Sequence, residues 1–202
     1  MNLDQIDKNV DAHDYSLIGR VYENMIRSGE KTNFSKNNRE KLKEFLNKLE
    51  SCRAILEIGV ENNIDKILTS TAVILANKDD SSIYIGVDVE DRKHLDNSEK
   101  NIYTIQTGSQ NISKVMEFAR SKGVTEIDFL FIDGWHSIHQ CITEFDGYTP
   151  YLSKNGIVGL HDINYHPGPR WIMERTDKEK WNIMEFPGDK ETDFGIGFVW
   201  KK

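Results

Sequence analysis

The 202-residue sequence has no apolar run that approaches the roughly 18 residues of a membrane-spanning helix. Its first residues, Met1–Gln5, are polar and acidic and do not resemble a secretory signal, so we expect a cytoplasmic protein with no membrane partner. Its only two cysteines, Cys52 and Cys141, lie far apart, which argues against a disulfide framework or a zinc site. A long block of Lys and Arg is also missing, and the formal net charge is −7, so nucleic acid is not an expected partner.

The composition is that of a globular protein, with 38% hydrophobic and 29% charged residues. A chain of this length buries enough surface in a single core, so one domain is the default. The sequence has no internal repeat or low-complexity linker that would divide it. We therefore predict a helical extension over residues 1–50 that packs on a core domain over residues 51–202, both in one compact unit.

Hydrophobic periodicity predicts helices before residue 54 and alternating strands and helices after it. Apolar residues recur at helical spacing over residues 15–26 and 42–49, and Asn33-Phe34-Ser35 predicts a break followed by a new helix cap. The predicted strands are Ala54–Ile58, Ser82–Val87, Ile102–Ile105, Ile127–Ile132 and Gly156–Leu160. The predicted helices are Ile64–Ala76, Ile112–Ser121, Ile138–Tyr151 and Arg170–Asp177.

These five strands are apolar at nearly every residue, which is typical of parallel strands covered by helices on both faces. Two further segments, Trp181–Phe186 and Gly195–Trp200, flank Gly188-Asp189 without a helix between them, so we predict an antiparallel pair. The pattern predicts an α/β fold with a seven-stranded sheet that is mostly parallel.

Functional residues are expected just after the strands, because ligands bind beyond the carboxyl ends of an open parallel sheet. The first strand ends in Glu57-Ile58-Gly59, which lacks the further glycines of a dinucleotide-binding fingerprint. The second strand ends at Asp88, which can accept hydrogen bonds from both hydroxyls of a ribose. The third leads to Thr107-Gly108-Ser109-Gln110, a small polar turn suited to the edge of an adenine. For the first and third of these turns, an ordinary structural role is the alternative.

The fourth and fifth strands end in groups that can bind a cation and move a proton. Asp133, Trp135 and His136 place a carboxylate, a flat aromatic ring and an imidazole within four residues. Asp162 follows the neighbouring strand, and two adjacent carboxylates repel unless they share a proton or a cation such as Mg²⁺, Mn²⁺ or Ca²⁺. The alternative is that Asp162 caps a turn while Asp133 only holds a loop.

Together these motifs resemble the class I S-adenosylmethionine-dependent methyltransferases, particularly the small-molecule O-methyltransferases of the catechol and macrocin type. The resemblance covers residue 54 to the end of the chain and implies a Rossmann-like, doubly wound seven-stranded sheet whose last strand is antiparallel. It also implies an enzyme that uses S-adenosylmethionine, with Mg²⁺ or another divalent cation, to methylate a hydroxyl of a small-molecule acceptor.

The resemblance assigns roles to the residues at the strand ends. His136 is the expected base, and Asp133 is expected to act in catalysis as well as to contact the cofactor. The expected metal ligands are Asp133 and Asp162, with Asn164 or a water molecule as the third. The other expected cofactor contacts are Glu57 and Gly59 at the methionine end, Asp88 at the ribose, and Gly108, Ser109, Gln110 and Trp135 at the adenine.

Three other hypotheses remain at this point. One is a methyltransferase-like domain that binds a partner without catalysis, and another is an enzyme of the same scaffold similar to the cephalosporin hydroxylases. A nicotinamide-dependent dehydrogenase is disfavoured, because the sequence lacks the required glycines and has the closing strand pair. The oligomeric state, a homo-oligomer included, is left open by the sequence.

Overall fold

The structure, a computed structural model, describes residues 34–49, 51–62, 64, 68–188 and 193–202. Its elements are α1 (Lys36–Asn47), β1 (Ala54–Ile58), α2 (Ser70–Asn77), β2 (Ile83–Asp88), β3 (Ile102–Gln106), α3 (Ile112–Ser121), β4 (Ile127–Ile132), α4 (Ile138–Tyr148), β5 (Leu152–His161), α5 (Pro167–Arg175), β6 (Trp181–Phe186) and β7 (Ile196–Lys201). The helix predicted over residues 15–26 lies outside these described residues, as does most of the predicted extension. Among the described residues, no helix combines the length and the apolar character that a bilayer crossing would need.

All seven strands form one sheet in the order β3-β2-β1-β4-β5-β7-β6. Strands β1 to β5 pair in parallel, and β7 is antiparallel to both β5 and β6. This arrangement confirms the predicted doubly wound α/β sheet with its closing antiparallel pair. In register, Ile58 at the end of β1 pairs with Val87 of β2 and Ile132 of β4. The residues that follow these strands therefore meet at one edge of the sheet.

Two hydrophobic clusters cover the two faces of the sheet, because successive strand side chains point to opposite sides. In β4, Leu130 and Ile132 face a cluster with α3, α4 and α5, whereas Phe129 and Phe131 face a cluster with α1 and α2. The ring of Phe45 in α1 stacks on Phe198 of β7 with 3.7 Å between centroids. Helix α1 is thereby fixed to the sheet, with its first turn near the carboxyl ends of the strands.

Helices α2 and α4 each differ from the prediction by several residues at one end. Helix α2 begins at Ser70 rather than Ile64, because the Thr69 hydroxyl accepts the backbone N–H of Ala72 and caps the helix there. Helix α4 ends at Tyr148 rather than Tyr151, and a 3₁₀ turn containing Pro150 follows it. Proline has no N–H to continue the helical hydrogen bonds, so the α-helix stops before it.

Strand β5 and helix α5 also begin earlier in the sequence than predicted. Strand β5 begins at Leu152 rather than Gly156. Its first half was not predicted because Lys154 and Asn155 are polar and exposed, so this part lacks the apolar pattern of a buried strand. Helix α5 spans Pro167–Arg175 rather than Arg170–Asp177. Pro167 suits the first helical position because its missing N–H would have no helical partner there. The bounds of β2, β3 and β7 differ from the prediction by no more than one residue at either end.

Candidate functional site

A cavity of about 540 Å³ opens at the carboxyl edge of the sheet. Its lining comes mainly from the ends of β1, β2, β4 and β5 and from the turns that follow β3 and β4, with further residues from the start of α2 and from α4. The predicted site residues that line it are Gly59, Asp88, Ser109, Gln110, Asp133, Trp135, His136 and Asp162. Three predicted site residues do not line it: Glu57, Gly108 and Asn164. Most of the predicted groups therefore converge on one space although they lie far apart in the sequence.

Gly59 allows the ends of β1 and β4 to approach closely. Its φ of +83° is in the left-handed region, and its N–H donates to the carbonyl of Val87 at 3.0 Å. A Cβ at this position would overlap the backbone carbonyl group of Asp133, with 2.6 Å to its carbon. Only glycine fits both the positive φ and the lack of space for a Cβ, so the floor of the cavity is backbone without a side chain here.

Asp88 is held in one orientation at the cavity wall. Its Oδ2 accepts the N–H of Val60 at 2.9 Å, and its Oδ1 accepts the N–H of Glu90 at 2.8 Å. The guanidinium of Arg92, a residue that the sequence analysis missed, lies 3.6 Å from Oδ2. Each carboxylate oxygen has a second lone pair, so Asp88 can still accept hydrogen bonds from a ligand.

The turn after β3 is tied to α4 by side chains that the sequence analysis did not single out. The Ser109 hydroxyl donates to Glu144 Oε1 at 2.5 Å, Gln140 Nε2 donates to Ser109 Oγ at 2.9 Å, and the Tyr148 hydroxyl donates to the Ser109 carbonyl at 2.7 Å. Burial raises the pKa of Glu144 to about 7. These bonds fix Ser109 at the cavity wall.

Two apolar side chains are exposed at this cavity. Among the described residues, the exposed large hydrophobic side chains are Val89, Trp135 and Met184. Val89 is 70% exposed and Trp135 is 60% exposed, and both line the cavity. Exposed apolar surface at a polar cavity is typical of a binding site for a flat, partly apolar ligand.

Glu57 lies beneath the cavity rather than in it. It is fully buried, and the Tyr84 hydroxyl donates to its Oε2 at 2.5 Å. Burial raises the pKa of Glu57 to about 8, so the neutral carboxylic acid is the main form at neutral pH. The side chain predicted to contact a cofactor therefore joins β1 to β2 inside the protein.

This raised pKa predicts that the stability of the fold falls as the pH rises from acid toward about 8. The contribution of protonated Glu57 is fully present below its ordinary pKa of 4.5 and is lost as the pH rises through about 8. We expect Glu57→Gln, which resembles the neutral acid, to remove about 2 kcal/mol of the fall in unfolding free energy between about pH 6 and about pH 9. Urea titrations at both pH values measure this, with the exposed Glu117→Gln as the control. An unchanged pH dependence in Glu57→Gln contradicts the assignment.

Carboxylates and imidazoles from β4 and β5 meet at one end of the cavity. Asp133 Oδ1 lies 2.9 Å from His161 Nδ1, and Asp133 Oδ2 accepts the Ser70 hydroxyl at 3.1 Å. Asp162, only 3% exposed, has a φ of +61° and places its Oδ1 3.0 Å from the same His161 nitrogen. The two predicted carboxylates therefore face one ring nitrogen of His161, a residue whose place next to Asp162 in the sequence left it open as a metal ligand or as a neighbour of one.

Two more imidazoles face the other oxygen of Asp162. His136 Nδ1 and His166 Nε2 each lie 3.3 Å from Asp162 Oδ2, and the two rings stack with 4.8 Å between centroids. His136 Nε2 lies 3.6 Å from Asp133 Oδ1, so this ring stands between the two carboxylates. His166 was missed as a site residue. The signal was its spacing of four from Asp162, since its N–H closes a turn onto the Asp162 carbonyl at 3.1 Å.

The electrostatics of this cluster follow from burial and crowding. Burial raises the pKa of Asp162 above the usual range of a carboxyl, and the charge of Asp133 adds to this. Burial opposes the charged form of His161, but the charges of Asp162 and Asp133 outweigh it and raise the pKa of His161 to about 9. Two carboxylates this close need a positive partner, either an imidazolium or a metal cation.

The donor set fits a divalent cation. The ligand atoms of Asp133, His161 and Asp162 lie within 4.8 Å of one another, as do those of His136, Asp162 and His166. Asp162 Oδ1 is a buried carboxylate oxygen without a hydrogen-bond partner, which is costly unless a cation or proton meets it. The predicted ligand Asn164 does not line the cavity, and its N–H donates to the Phe194 carbonyl at 2.9 Å. His166, two residues further along the chain, lines the cavity in place of Asn164.

Known structures share this fold at low sequence identity. The MycE methyltransferase from the mycinamycin biosynthetic pathway, in complex with Mg and SAH, is 16% identical with a TM-score of 0.55, over 83% of this chain and 49% of that one. CalS11, a TDP-rhamnose 3'-O-methyltransferase of calicheamicin biosynthesis, is 13% identical with a TM-score of 0.56, over 96% and 99% of the two chains. An O-methyltransferase from Bacillus cereus in complex with SAH is 12% identical with a TM-score of 0.60, over 95% and 92%.

These similarities confirm the predicted methyltransferase-like fold, although this chain spans only about half the length of MycE. A comparison with curated protein sequences gave no match. The family model described as "Methyltransferase domain" matches residues 56–163, which run from the second half of β1 to just past β5 and include the strand ends that line the cavity. Since this match covers more than half of the chain, the protein belongs to the methyltransferase domain family.

Proposed function

We propose that the protein is an S-adenosylmethionine-dependent methyltransferase that transfers the methyl group to a hydroxyl oxygen of a small molecule. The observation that supports this best is the convergence of Gly59, Asp88, Asp133 and Asp162 on one cavity. A volume of about 540 Å³ is within the usual range of small-molecule sites.

The cavity offers a separate place to each part of the cofactor. The two ribose hydroxyls would donate to Asp88, which is fixed by Val60 and Glu90 before a ligand arrives. The adenine would lie against the exposed faces of Trp135 and Val89, with Ser109 and Gln110 at its edge. The methionine end would then pass over the bare backbone of Gly59 toward Asp133.

The chemistry left to the protein is positioning and proton removal, because the sulfonium methyl is already electrophilic. His136 lies at the cavity wall between Asp133 and Asp162, and we assign to it the removal of the acceptor hydroxyl proton. A divalent cation held by Asp133 and Asp162 would bind the acceptor oxygen and lower its pKa. His166 stacks on His136 and keeps that ring in place.

Two relatives in fold point to the class of acceptor. CalS11 is named as a TDP-rhamnose 3'-O-methyltransferase, and a structure of MycE contains Mg, SAH and mycinamycin VI. A nucleotide sugar and a secondary metabolite are both small molecules that carry hydroxyl groups. We propose a hydroxylated small molecule as the acceptor here, bound between His136 and the outer rim of the cavity.

One feature supports a second candidate, an iron-dependent hydroxylase on the same scaffold. His136, His166 and Asp162 form a two-histidine, one-carboxylate set, which is a common ligand set of non-haem iron oxygenases. Such an enzyme would need a reductant and oxygen, and it would not consume S-adenosylmethionine. Binding of S-adenosylhomocysteine together with anaerobic methyl transfer would exclude it.

Calorimetry with S-adenosylmethionine and S-adenosylhomocysteine tests the proposal, since a methyltransferase binds both. We expect Asp88→Ala to weaken S-adenosylhomocysteine binding by about 10–100-fold, because it removes charge-assisted hydrogen bonds to the ribose. The exposed Asp91→Ala, from the turn after the same strand, should bind like the unaltered protein. Thermal unfolding of both variants checks the fold. Failure of the unaltered protein to bind either compound would favour a non-catalytic or differently reactive domain.

A further inference from the structure

We propose that His161 is a nitrogen ligand of the cation site, oriented by Asn38 of α1, and that the site takes a divalent transition metal in preference to Mg²⁺. The inference concerns the same site as the proposed function and rests on it only for the use of a cation there. It assigns a role to α1, which carries no residue of the cofactor site described above.

The position of His161 is that of a ligand. Its Nδ1 lies 2.9 Å from Asp133 Oδ1 and 3.0 Å from Asp162 Oδ1, and the ring is only 1% exposed. Ligand atoms about 2.1 Å from an ion and at right angles to each other are about 3 Å apart. Asp162 Oδ1 has no hydrogen bond even to this nearby nitrogen. The three atoms are therefore spaced as neighbouring ligands.

Asn38 can serve both states of the His161 ring. It is fully buried, and its side-chain amide lies 3.2 Å from His161 Nε2. Without a cation, a neutral ring can donate Nδ1–H to Asp133 and accept the amide N–H at Nε2, whereas an imidazolium donates Nε2–H to the amide oxygen once the amide has turned. With a cation, Nδ1 must present its lone pair, so the proton is on Nε2 and needs an acceptor. A half-turn of the Asn38 amide would bring its Oδ1 to His161 Nε2. This turn breaks no hydrogen bond of Oδ1, because Oδ1 has no hydrogen-bond partner in its present position.

Hydrogen bonds at the start of α1 hold Asn38 in place next to His161. The Ser35 hydroxyl caps α1 by accepting the Asn38 N–H at 3.1 Å, and the same hydroxyl donates to Asp193 Oδ2 at 2.6 Å. Asp193 Oδ1 accepts the N–H of Gly195, whose carbonyl accepts the N–H of Asp162 at 2.9 Å. One chain of hydrogen bonds thus connects the first turn of α1 to the backbone of Asp162, whose carboxylate belongs to the cation site.

The donor chemistry decides between classes of metal. Mg²⁺ prefers an all-oxygen shell with several waters, whereas imidazole nitrogen favours Zn²⁺, Fe²⁺, Co²⁺ or Ni²⁺. Besides His161, the imidazoles of His136 and His166 both face Asp162 Oδ2 at 3.3 Å. Even with His136 reserved as the base, the two other imidazoles and the two carboxylates at one site are a poor match for Mg²⁺. We expect Zn²⁺ to bind at least about 100-fold more tightly than Mg²⁺.

The experiment uses the full chain stripped of metal, with Zn²⁺ and Mg²⁺ as probes in calorimetry and ¹⁵N NMR of labelled histidines as the readout of ligation. On addition of Zn²⁺, the His161 resonances should report a ligated Nδ1 and a protonated Nε2, with His161→Gln identifying the signals. Asn38→Leu should lower the Zn²⁺ affinity by about 10–100-fold, the usual effect of removing a group that orients a metal ligand. Asn38→Asp, which keeps an acceptor oxygen, should retain it, and the exposed Asn37→Leu on the same helix is the control.

Two outcomes overturn the inference: equal or tighter binding of Mg²⁺, or His161 signals that Zn²⁺ leaves unmoved. Both can be observed on the unaltered protein, so they do not depend on whether Asn38→Leu folds. Methyl transfer supported by Mg²⁺ with an unmoved His161 would remove the inference and leave the proposed function. Ligation of Zn²⁺ by His161 without binding of S-adenosylhomocysteine would support the inference and contradict the proposed function.

Discussion

Replacement of His136 by alanine should lower the rate of methyl transfer by about 10²–10⁴-fold, the usual contribution of a positioned general base. His136 is the imidazole that both lines the cavity and stands between the two carboxylates, 3.6 Å from Asp133 and 3.3 Å from Asp162. The ribose and adenine groups lie elsewhere on the cavity wall, so the affinity for S-adenosylhomocysteine should stay within a factor of about two. Single-turnover kinetics and calorimetry separate these two effects.

His139→Ala is the matched control for this experiment. His139 lies three residues further along in α4, is exposed, and does not line the cavity. It should leave both the rate and the affinity unchanged. If His136→Ala retains the full rate over the whole pH range, the base is another group, and His166, which stacks on His136, is the next to test.

The convergence of the site could be predicted because it depends on strand order alone. Parallel strands end at one edge of a sheet, so a sequence that marks the ends of β1, β2, β4 and β5 also marks the residues that meet there. Gly59, Asp88, Asp133 and Asp162 line one cavity for this reason. The apolar character of β1 and β4 made the ends of both strands easy to locate.

The histidines of the cluster could not be placed in the same way. His161 ends β5, and Asp162 then adopts a φ of +61°, which few residues other than glycine do. This turn of the backbone lets the two side chains approach Asp133 together and brings His166 back onto Asp162. Hydrophobic periodicity carries no information about a single left-handed residue.

Buried polar side chains were the other group that the sequence did not reveal. Asn38 occurs in the polar first turn of a helix, where exposure is the ordinary expectation, yet it is fully buried against His161. Glu57 was predicted from the resemblance to contact the cofactor, but it is buried with Tyr84. Both positions depend on what packs above the sheet, and only the three-dimensional arrangement shows that.

Gly59→Ala should cause the largest loss of stability among the changes considered. An L-residue at a φ of +83° costs about 1–2 kcal/mol, and the added Cβ would also overlap the backbone carbonyl group of Asp133. Relief requires the ends of β1 and β4 to separate, which displaces Asp133 from the cavity. We expect a total loss of about 2–4 kcal/mol in unfolding free energy and a fall in S-adenosylhomocysteine affinity of at least about tenfold.

Gly123→Ala isolates the steric part of this effect. Gly123 also has a left-handed backbone, with a φ of +94°, but an added Cβ would meet only Ile83 Cδ1 at 3.9 Å. It should therefore cost about 1–2 kcal/mol through backbone strain and leave cofactor binding intact. Denaturant titrations of the two variants give the difference directly. Equal losses in both would mean that β1 and β4 are not in the close contact on which the position of Asp133 depends.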